Sequence, residues 1–191
     1  DHPRGYFGPN VNPENGVEFR GGKGSLYEGG LRIPFLVRWP GQIKAGQTSE
    51  LLFYQPDVLP TLTELCGART PKEVDGLSIL PTLLGEKATG RKQQSHEMLY
   101  WEYGNQVAVR HGSWKAVKSR EKGDWALYDL KKDLSETNDL KATEANQLAR
   151  MQAFAQKAHE PVRPGIFLDP ERLRHNRDRQ AKFGFSSVSS L

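Results

Sequence analysis

One stretch limits the folds open to this chain more than any other: residues 21–40, GGKGSLYEGGLRIPFLVRWP. Its first half sets a single lysine, Lys23, among five glycines. Glycine lets a ligand approach main-chain N–H groups, and lysine supplies a compact positive charge with three hydrogen-bond donors. We therefore expect a loop here that binds an oxyanion.

The second half of the stretch alternates between apolar and other residues. Leu31, Ile33, Phe35, Val37 and Trp39 share one side if the backbone is extended. A period of two is typical of a strand with one buried face. Pro34 suggests an edge position or a locally unpaired N–H. The sequence thus predicts that a core strand holds the lysine loop in place.

The run from residue 21 to residue 41 closely resembles the lysine-bearing segment of the type I sulfatases. These enzymes belong to the alkaline-phosphatase-like superfamily and hydrolyse sulfate esters. The resemblance implies that Lys23 contacts the sulfate group, which makes it the catalytic and substrate-binding candidate. A lysine between glycines is ordinarily a solvated loop residue, but agreement along the whole segment favours the functional interpretation. We expect Glu28 and Arg32, in the same run, to brace the loop as an ion pair.

The resemblance also implies a nucleophile and a metal. In the family, a cysteine or serine within a Cys/Ser-x-Pro-x-Arg motif becomes formylglycine, and a calcium ion polarises the sulfate. The single cysteine, Cys66, precedes Gly-Ala-Arg and does not fit that motif; we interpret it as a buried structural thiol. Nucleophile and calcium ligands are expected before Asp1. This chain alone should bind no metal and be inactive.

The first twenty residues contain three prolines and three glycines and predict a loop. In the sulfatases such a loop often brings a histidine to the sulfate, and His2 resembles that histidine. A frayed terminal histidine is the alternative.

Residues 1–92 are interpreted as the end of an alkaline-phosphatase-like catalytic α/β domain. The run PDVLPTLTELCG predicts a helix whose apolar face packs on a sheet. Asp57 is expected to cap this helix, with a metal ligand as the alternative role. A second short helix over residues 77–84 should break at Pro81.

Residues 93–168 predict a small α+β subdomain. Four short strands separated by glycine turns are expected at residues 98–103, 106–110, 114–118 and 125–130. Such an antiparallel meander has one face to bury, and the helix that follows should cover it. We expect Thr143 to cap that helix, with Leu148, Met151, Phe154 or Ala155, and Ala158 along its apolar side. Residues 169–191 are interpreted as a basic, flexible tail.

The aromatic residues of the meander allow two interpretations. In one, alternate rings belong to the core. In the other, Trp101 or Tyr103, together with His96 and Glu102, borders the substrate cleft and stacks on a sugar or aryl ring.

Charge and hydropathy exclude two classes of partner. Three of the four net positive charges lie in residues 170–185, without a recognised nucleic-acid motif, so no nucleic acid is expected. No apolar run reaches the roughly 18 residues needed to span a bilayer, so no membrane partner is expected either.

The expected function is that of a C-terminal part of a sulfatase acting on sulfated glycans, completed by the missing N-terminal part of the catalytic domain. The resemblance implies a periplasmic or secreted protein. Two alternatives stay open: a non-catalytic module that binds sulfated carbohydrate or another protein, and a phosphodiesterase of the same superfamily, which the residues before Asp1 would distinguish.

Overall fold

The structure is a computed structural model that describes residues 11, 15–119, 123–161, 177, 178 and 181. The chain divides into two units, residues 1–159 and 160–191. The helices and strands described below all lie in the first unit.

A four-stranded antiparallel sheet in the order β1-β2-β3-β4 dominates this unit. Its strands are β1 Leu99–Tyr103, β2 Gln106–His111, β3 Trp114–Lys118 and β4 Trp125–Asp129. Each strand pairs with the next in an unbroken register, from Tyr103 opposite Gln106 to Trp114 opposite Asp129. The predicted meander is confirmed, with strand ends that differ by no more than one residue.

Both faces of the sheet are covered, whereas the sequence indicated one buried face. Helix α5, Ala145–Ala158, covers one face and buries Met151 and Ala155 against Val109, Ala116 and Leu127. Residues 20–31, which we call the lysine segment, cover the other face through Leu26 and Tyr27. We call these the helix face and the loop face of the sheet. The position of Lys23 is therefore set by the sheet beneath it.

The prediction that Thr143 caps α5 is wrong. Glu144 holds the cap position and its side chain makes no capping hydrogen bond. The Thr143 hydroxyl instead donates to the carbonyl of Leu140 over 3.2 Å. This hydrogen bond lies in the loop before α5 and reaches none of the helix's amides.

Four short helices precede the sheet in the described part of the chain. Their bounds are α1 Glu28–Leu31, α2 Val58–Leu65, α3 Leu80–Leu84 and α4 Glu86–Thr89. A 3₁₀ turn, Gln55–Asp57, leads into α2. Pro81 lies in the first turn of α3, where its missing N–H interrupts no hydrogen bond, so it starts that helix rather than breaking it. No helix in the described part of the chain has the length and apolar character needed to cross a membrane.

Two predictions about the apolar core are wrong in this structure. Residues 32–39 form no strand, and Ile33 and Phe35, on the side predicted to be buried, are 71% and 49% exposed. The apolar side of α2 packs on no sheet: Leu59 and Leu62 are about half exposed, and Cys66 is exposed rather than buried. A strand needs a neighbour to pair its backbone groups, and no described residue lies alongside these segments as a strand.

Candidate active site

The lysine segment folds as a compact turn that leads into α1. The Ser25 amide donates to the carbonyl of Gly22 over 3.0 Å, which closes the backbone around Lys23. The Gly29 amide donates to the carbonyl of Arg20 over 2.8 Å and ties the two ends of the turn together. Lys23 itself lies exposed at the tip, and among the described residues its ammonium has no hydrogen bond or ion pair. A solvent-facing cation on a fixed backbone is suited to binding an anion.

Two of the glycines serve backbone packing rather than ligand access. A Cβ atom on Gly30 would clash with the carbonyl oxygens of Ser25 and Gly22, and one on Gly29 would clash with those of Gly21 and Arg20. The turn closes only because these positions lack side chains. We expected the glycines to let a ligand approach the backbone. Gly29 and Gly30 are needed for a different reason, because the chain packs closely against itself at these two positions.

Arg20 attaches the start of the lysine segment to the sheet. Its guanidinium donates to the Tyr128 hydroxyl over 2.9 Å and to the Glu136 carbonyl over 2.8 Å. It also lies over the Tyr27 ring, 4.1 Å from the ring centre, in cation–π geometry. Burial raises the pKa of Tyr128, so this hydroxyl stays neutral and accepts the hydrogen bond.

A buried ion cluster attaches the other end. Lys115, the second residue of β3, is fully buried, and its Nζ lies 2.8 Å from Glu28 Oε1 and 2.8 Å from Glu136 Oε1. The Glu28 contact is a hydrogen bond, and the Glu136 contact is an ion pair without hydrogen-bond geometry. The Glu28 amide also donates to Glu136 Oε2 over 2.6 Å. The expected ion pair between Arg32 and Glu28 is confirmed at 3.5 Å, but it lies at the edge of this larger cluster.

The two carboxylates of the cluster are shifted in opposite directions. Burial by itself would raise the pKa of Glu28, but the charges of Lys115, Arg110 and Arg32 outweigh it and leave that pKa below its ordinary value. Burial raises the pKa of Glu136 and is only partly offset by Lys115. Glu28, with three cations around it, is the carboxylate that stays firmly charged.

The end of the β1–β2 hairpin contacts the segment next to Lys23. The buried Gln106 side chain donates from Nε2 to the Gly24 carbonyl over 3.0 Å. The ring of Tyr103 also lies beside Gly24, while 57% of Tyr103 is exposed. The ring of Tyr103 thus lies beside the residue that directly follows Lys23 in the chain.

The other candidates from the meander lie on both faces of the sheet. Trp101, on the loop face, packs against the buried residues beneath the lysine segment. Glu102 points to the opposite face, where it accepts hydrogen bonds from the Tyr100 hydroxyl at 2.6 Å and faces His159 Nδ1 at 2.9 Å. These two contacts lower the pKa of Glu102, and burial together with Glu102 raises the pKa of Tyr100 to about 12. His2 lies outside the described residues.

His96 is part of a buried junction around Asp57. Its Nε2 lies 2.7 Å from Asp57 Oδ1, and its ring stands edge-on to Tyr54 at 4.9 Å. The Asp57 carboxylate also accepts hydrogen bonds from the amides of Tyr54 and Leu77. Asp57 holds the N-cap position of α2 as predicted, but its side chain bonds none of that helix's amides. It joins three separate segments instead.

The described residues do not provide a metal site. No group of three or more histidine, cysteine, aspartate or glutamate side chains among them is placed to hold a metal ion. Two of the charged side chains in the lysine segment, Arg20 and Lys23, are cations, which do not bind a metal ion. The nearby carboxylates, Glu28 and Glu136, are already paired with Lys115. A calcium ion does not fit the residues that surround Lys23 here.

Comparison with known proteins decides the family. The family model described as N-sulphoglucosamine sulphohydrolase, C-terminal, matches residues 21–160. The chain belongs to the sulfatase family. The match starts at the lysine segment and runs through the sheet and α5, so both halves of the structure described above are parts of one sulfatase region, and the resemblance seen in the sequence is confirmed.

Individual sulfatases agree with this assignment. Rat steryl-sulfatase is 41% identical over 121 residues, which cover 58% of this chain and 20% of that protein. The N-acetylgalactosamine-6-O-sulfatase of Bacteroides thetaiotaomicron is 34% identical over 138 residues, 64% of this chain and 26% of that protein. A solved structure from a study of glycosaminoglycan metabolism by Bacteroides thetaiotaomicron superimposes with a TM-score of 0.62 at 29% identity, and covers 73% of this chain and 31% of that one. The sulfatase chain described here thus spans between a fifth and a third of these relatives.

Proposed function

We propose that the full-length protein carrying this chain hydrolyses sulfate esters of sulfated glycans, and that Lys23 binds an oxygen of the sulfate group. The observation that carries the proposal is the geometry of the lysine segment: an exposed ammonium on a backbone that Arg20, Gly24 and Glu28 attach to the sheet. Membership of the sulfatase family supports the reaction class.

The chemistry assigned to Lys23 is electrostatic. As the sulfate ester bond breaks, negative charge develops on the oxygens around sulfur, and a fixed ammonium stabilises that charge more in the transition state than in the bound substrate. Formylglycine and a divalent metal, when present in a sulfatase, supply the nucleophile and polarise the sulfate. The sequence holds no formylglycine motif and the described residues no metal site. We therefore assign both groups, calcium included, to parts of the protein outside this chain, and expect the chain alone to be inactive.

The glycan assignment rests on two relatives. One is named for removing 6-O-sulfate from N-acetylgalactosamine, and the other was solved in a study of glycosaminoglycan metabolism. Tyr103, which is 57% exposed, places an aromatic side chain beside Gly24 in the same segment, and aromatic side chains present a large apolar surface.

The substrate class is tested by measuring the sulfate that the full-length protein releases from 6-O-sulfated amino sugars, with ion chromatography as the detector. We expect free sulfate from these sugars. Hydrolysis of 4-nitrophenyl sulfate without release from any sulfated sugar would contradict the glycan assignment. Tight binding of sulfated glycans without hydrolysis of any ester would favour a non-catalytic binding module.

The exposed apolar residues of this chain are assigned to an interface with the rest of the catalytic domain. Residues 33–39 and the outer side of α2 are strongly apolar, and large parts of both are exposed. Contiguous apolar surface of this kind ordinarily marks an interface, and the relatives are three to five times longer than the regions matched here.

Replacing Leu62 with lysine tests this interface. In the full-length protein we expect the melting temperature to fall by several degrees, because the change removes about 1.5–3 kcal/mol of burial and places a charge in an apolar contact. Ala153→Lys, on the exposed side of α5, is the matched control and should leave the melting temperature nearly unchanged. An equally small shift for both variants would mean that this side of α2 stays exposed in the full-length protein.

A further inference from the structure

The Lys115 ammonium is fully buried between two carboxylates that come from different parts of the chain. Glu28 belongs to α1 in the lysine segment, and Glu136 follows β4. Removing a charge from water is unfavourable, and this cost is recovered only when the geometry of the pairing is good. An apolar residue would fill the same position on a sheet more simply. The buried ions therefore indicate that they fix the position of the segments carrying Glu28 and Glu136, and do not serve stability alone.

Glu136 holds the lysine segment with two different groups. Its carboxylate accepts the Glu28 amide at 2.6 Å, and its main-chain carbonyl accepts the Arg20 guanidinium at 2.8 Å. One residue thus binds positions three before and five after Lys23.

The backbone of Glu136 supports this interpretation. Its φ is +54°, the one positive value at a non-glycine position among the described residues. For such a residue the left-handed region is sterically unfavourable. In this conformation the carbonyl and the carboxylate both reach the lysine segment, and the surrounding contacts maintain it.

The remaining charges near the cluster lie at its edge. Arg32 is 3.5 Å and Arg110 4.0 Å from Glu28 Oε2, and both side chains are partly exposed. They can move without opening the buried contacts. Lys115 and Glu136 cannot, because the sheet and the lysine segment enclose them.

We propose that Lys115 and Glu136 are positioning residues for Lys23: they fix Glu28 and Arg20, and so hold the turn that carries the sulfate-binding ammonium against the sheet. The catalytic part of this inference rests on the function proposed above. Neither residue touches the substrate. A loosened turn would leave Lys23 charged but misplaced, and a misplacement of about 1 Å can reduce a rate a hundredfold.

The test uses Glu136→Gln in the full-length protein, because glutamine keeps the size of the side chain and leaves Lys115 paired with Glu28. Glu97→Gln, at an exposed position, is the matched control. The first measurement is amide hydrogen exchange by mass spectrometry. We expect faster exchange in the peptide covering residues 20–31 of the Glu136→Gln protein, with unchanged exchange across α5. Unchanged exchange in residues 20–31 would overturn the inference whatever the enzyme's activity.

The second measurement is a double-mutant cycle in kcat and KM for a sulfate ester. Glu136→Gln alone should lower kcat by about 10- to 100-fold with a smaller change in KM. In a Lys23→Ala background the same change should have almost no further effect, because the residue acts through Lys23. Losses that multiply would overturn the positioning role. Full activity of Lys23→Ala together with faster loop exchange would instead overturn the proposed function of Lys23, and with it the catalytic part of this inference, while showing that the buried contacts do hold the turn.

Discussion

Replacing Lys23 with alanine in the full-length protein is expected to lower kcat/KM for a sulfate ester by about 10²–10³-fold, with the melting temperature nearly unchanged. The loss corresponds to about 2.7–4 kcal/mol, which is typical when one donor to a developing oxyanion is removed. Stability should survive because the side chain is exposed and has no partner among the described residues, so nothing in the fold is left unsatisfied. Steady-state kinetics and thermal unfolding check the two halves of the expectation.

The matched control is Lys44→Ala, another exposed lysine in a turn of the same sulfatase region. It removes the same charge from the protein without touching the lysine segment, and we expect an unchanged rate. Equal activity of the Lys23→Ala and Lys44→Ala proteins would remove Lys23 from the active site.

Replacing Gly30 with alanine should impair both stability and activity. The added Cβ would meet the carbonyl oxygens of Ser25 and Gly22, which belong to backbone and cannot rotate away. Overpacking of this kind costs about 1–3 kcal/mol, and relief requires the turn around Lys23 to open. We expect a lower melting temperature and a loss of kcat/KM that approaches that of Lys23→Ala. Thermal unfolding and kinetics of the same sample separate the two effects.

Gly22→Ala is the control from within the same turn. Gly22 has no positive φ, and a Cβ there meets nothing within 4 Å. Alanine should therefore be tolerated at position 22 and not at position 30. If both variants behave like the parent protein, the close backbone packing of the lysine segment does not determine the geometry of Lys23.

The sheet was predictable because its signals are local. Alternation over five or six residues and a glycine at each hairpin turn define β1 to β4 without reference to the rest of the protein. The stripe of α5 is local in the same sense, since Met151 and Ala155 are one helical turn apart.

The errors concern residues whose partners are far away in sequence or absent from the described structure. Residues 33–39 have the alternation of a strand, but alternation does not supply a neighbouring strand. The apolar side of α2 has helical spacing and lacks the sheet that spacing implies. In both cases the pattern indicates an apolar surface for which the described residues supply no partner.

The buried cluster was missed for a different reason. Lys115 and Val117 lie on the same side of β3, and we expected only one side of the sheet to be buried. The available signal was its place at the centre of the meander, opposite Arg110 and Tyr128, on a face where the sequence offered no covering helix. Glu136 carried no signal, because its role depends on a left-handed backbone that glutamate rarely adopts.

The central claim, that this chain contributes Lys23 to a sulfatase active site, is tested most directly by the substrate preference of the full-length protein. Its kcat/KM should be measured under one set of conditions for three substrates. These are 4-nitrophenyl sulfate, 4-nitrophenyl phosphate and the diester bis(4-nitrophenyl) phosphate. We predict that the sulfate ester is hydrolysed best and that Lys23→Ala reduces this activity the most. A preference for the phosphate diester would contradict the account and assign the protein to the phosphodiesterases of the same superfamily.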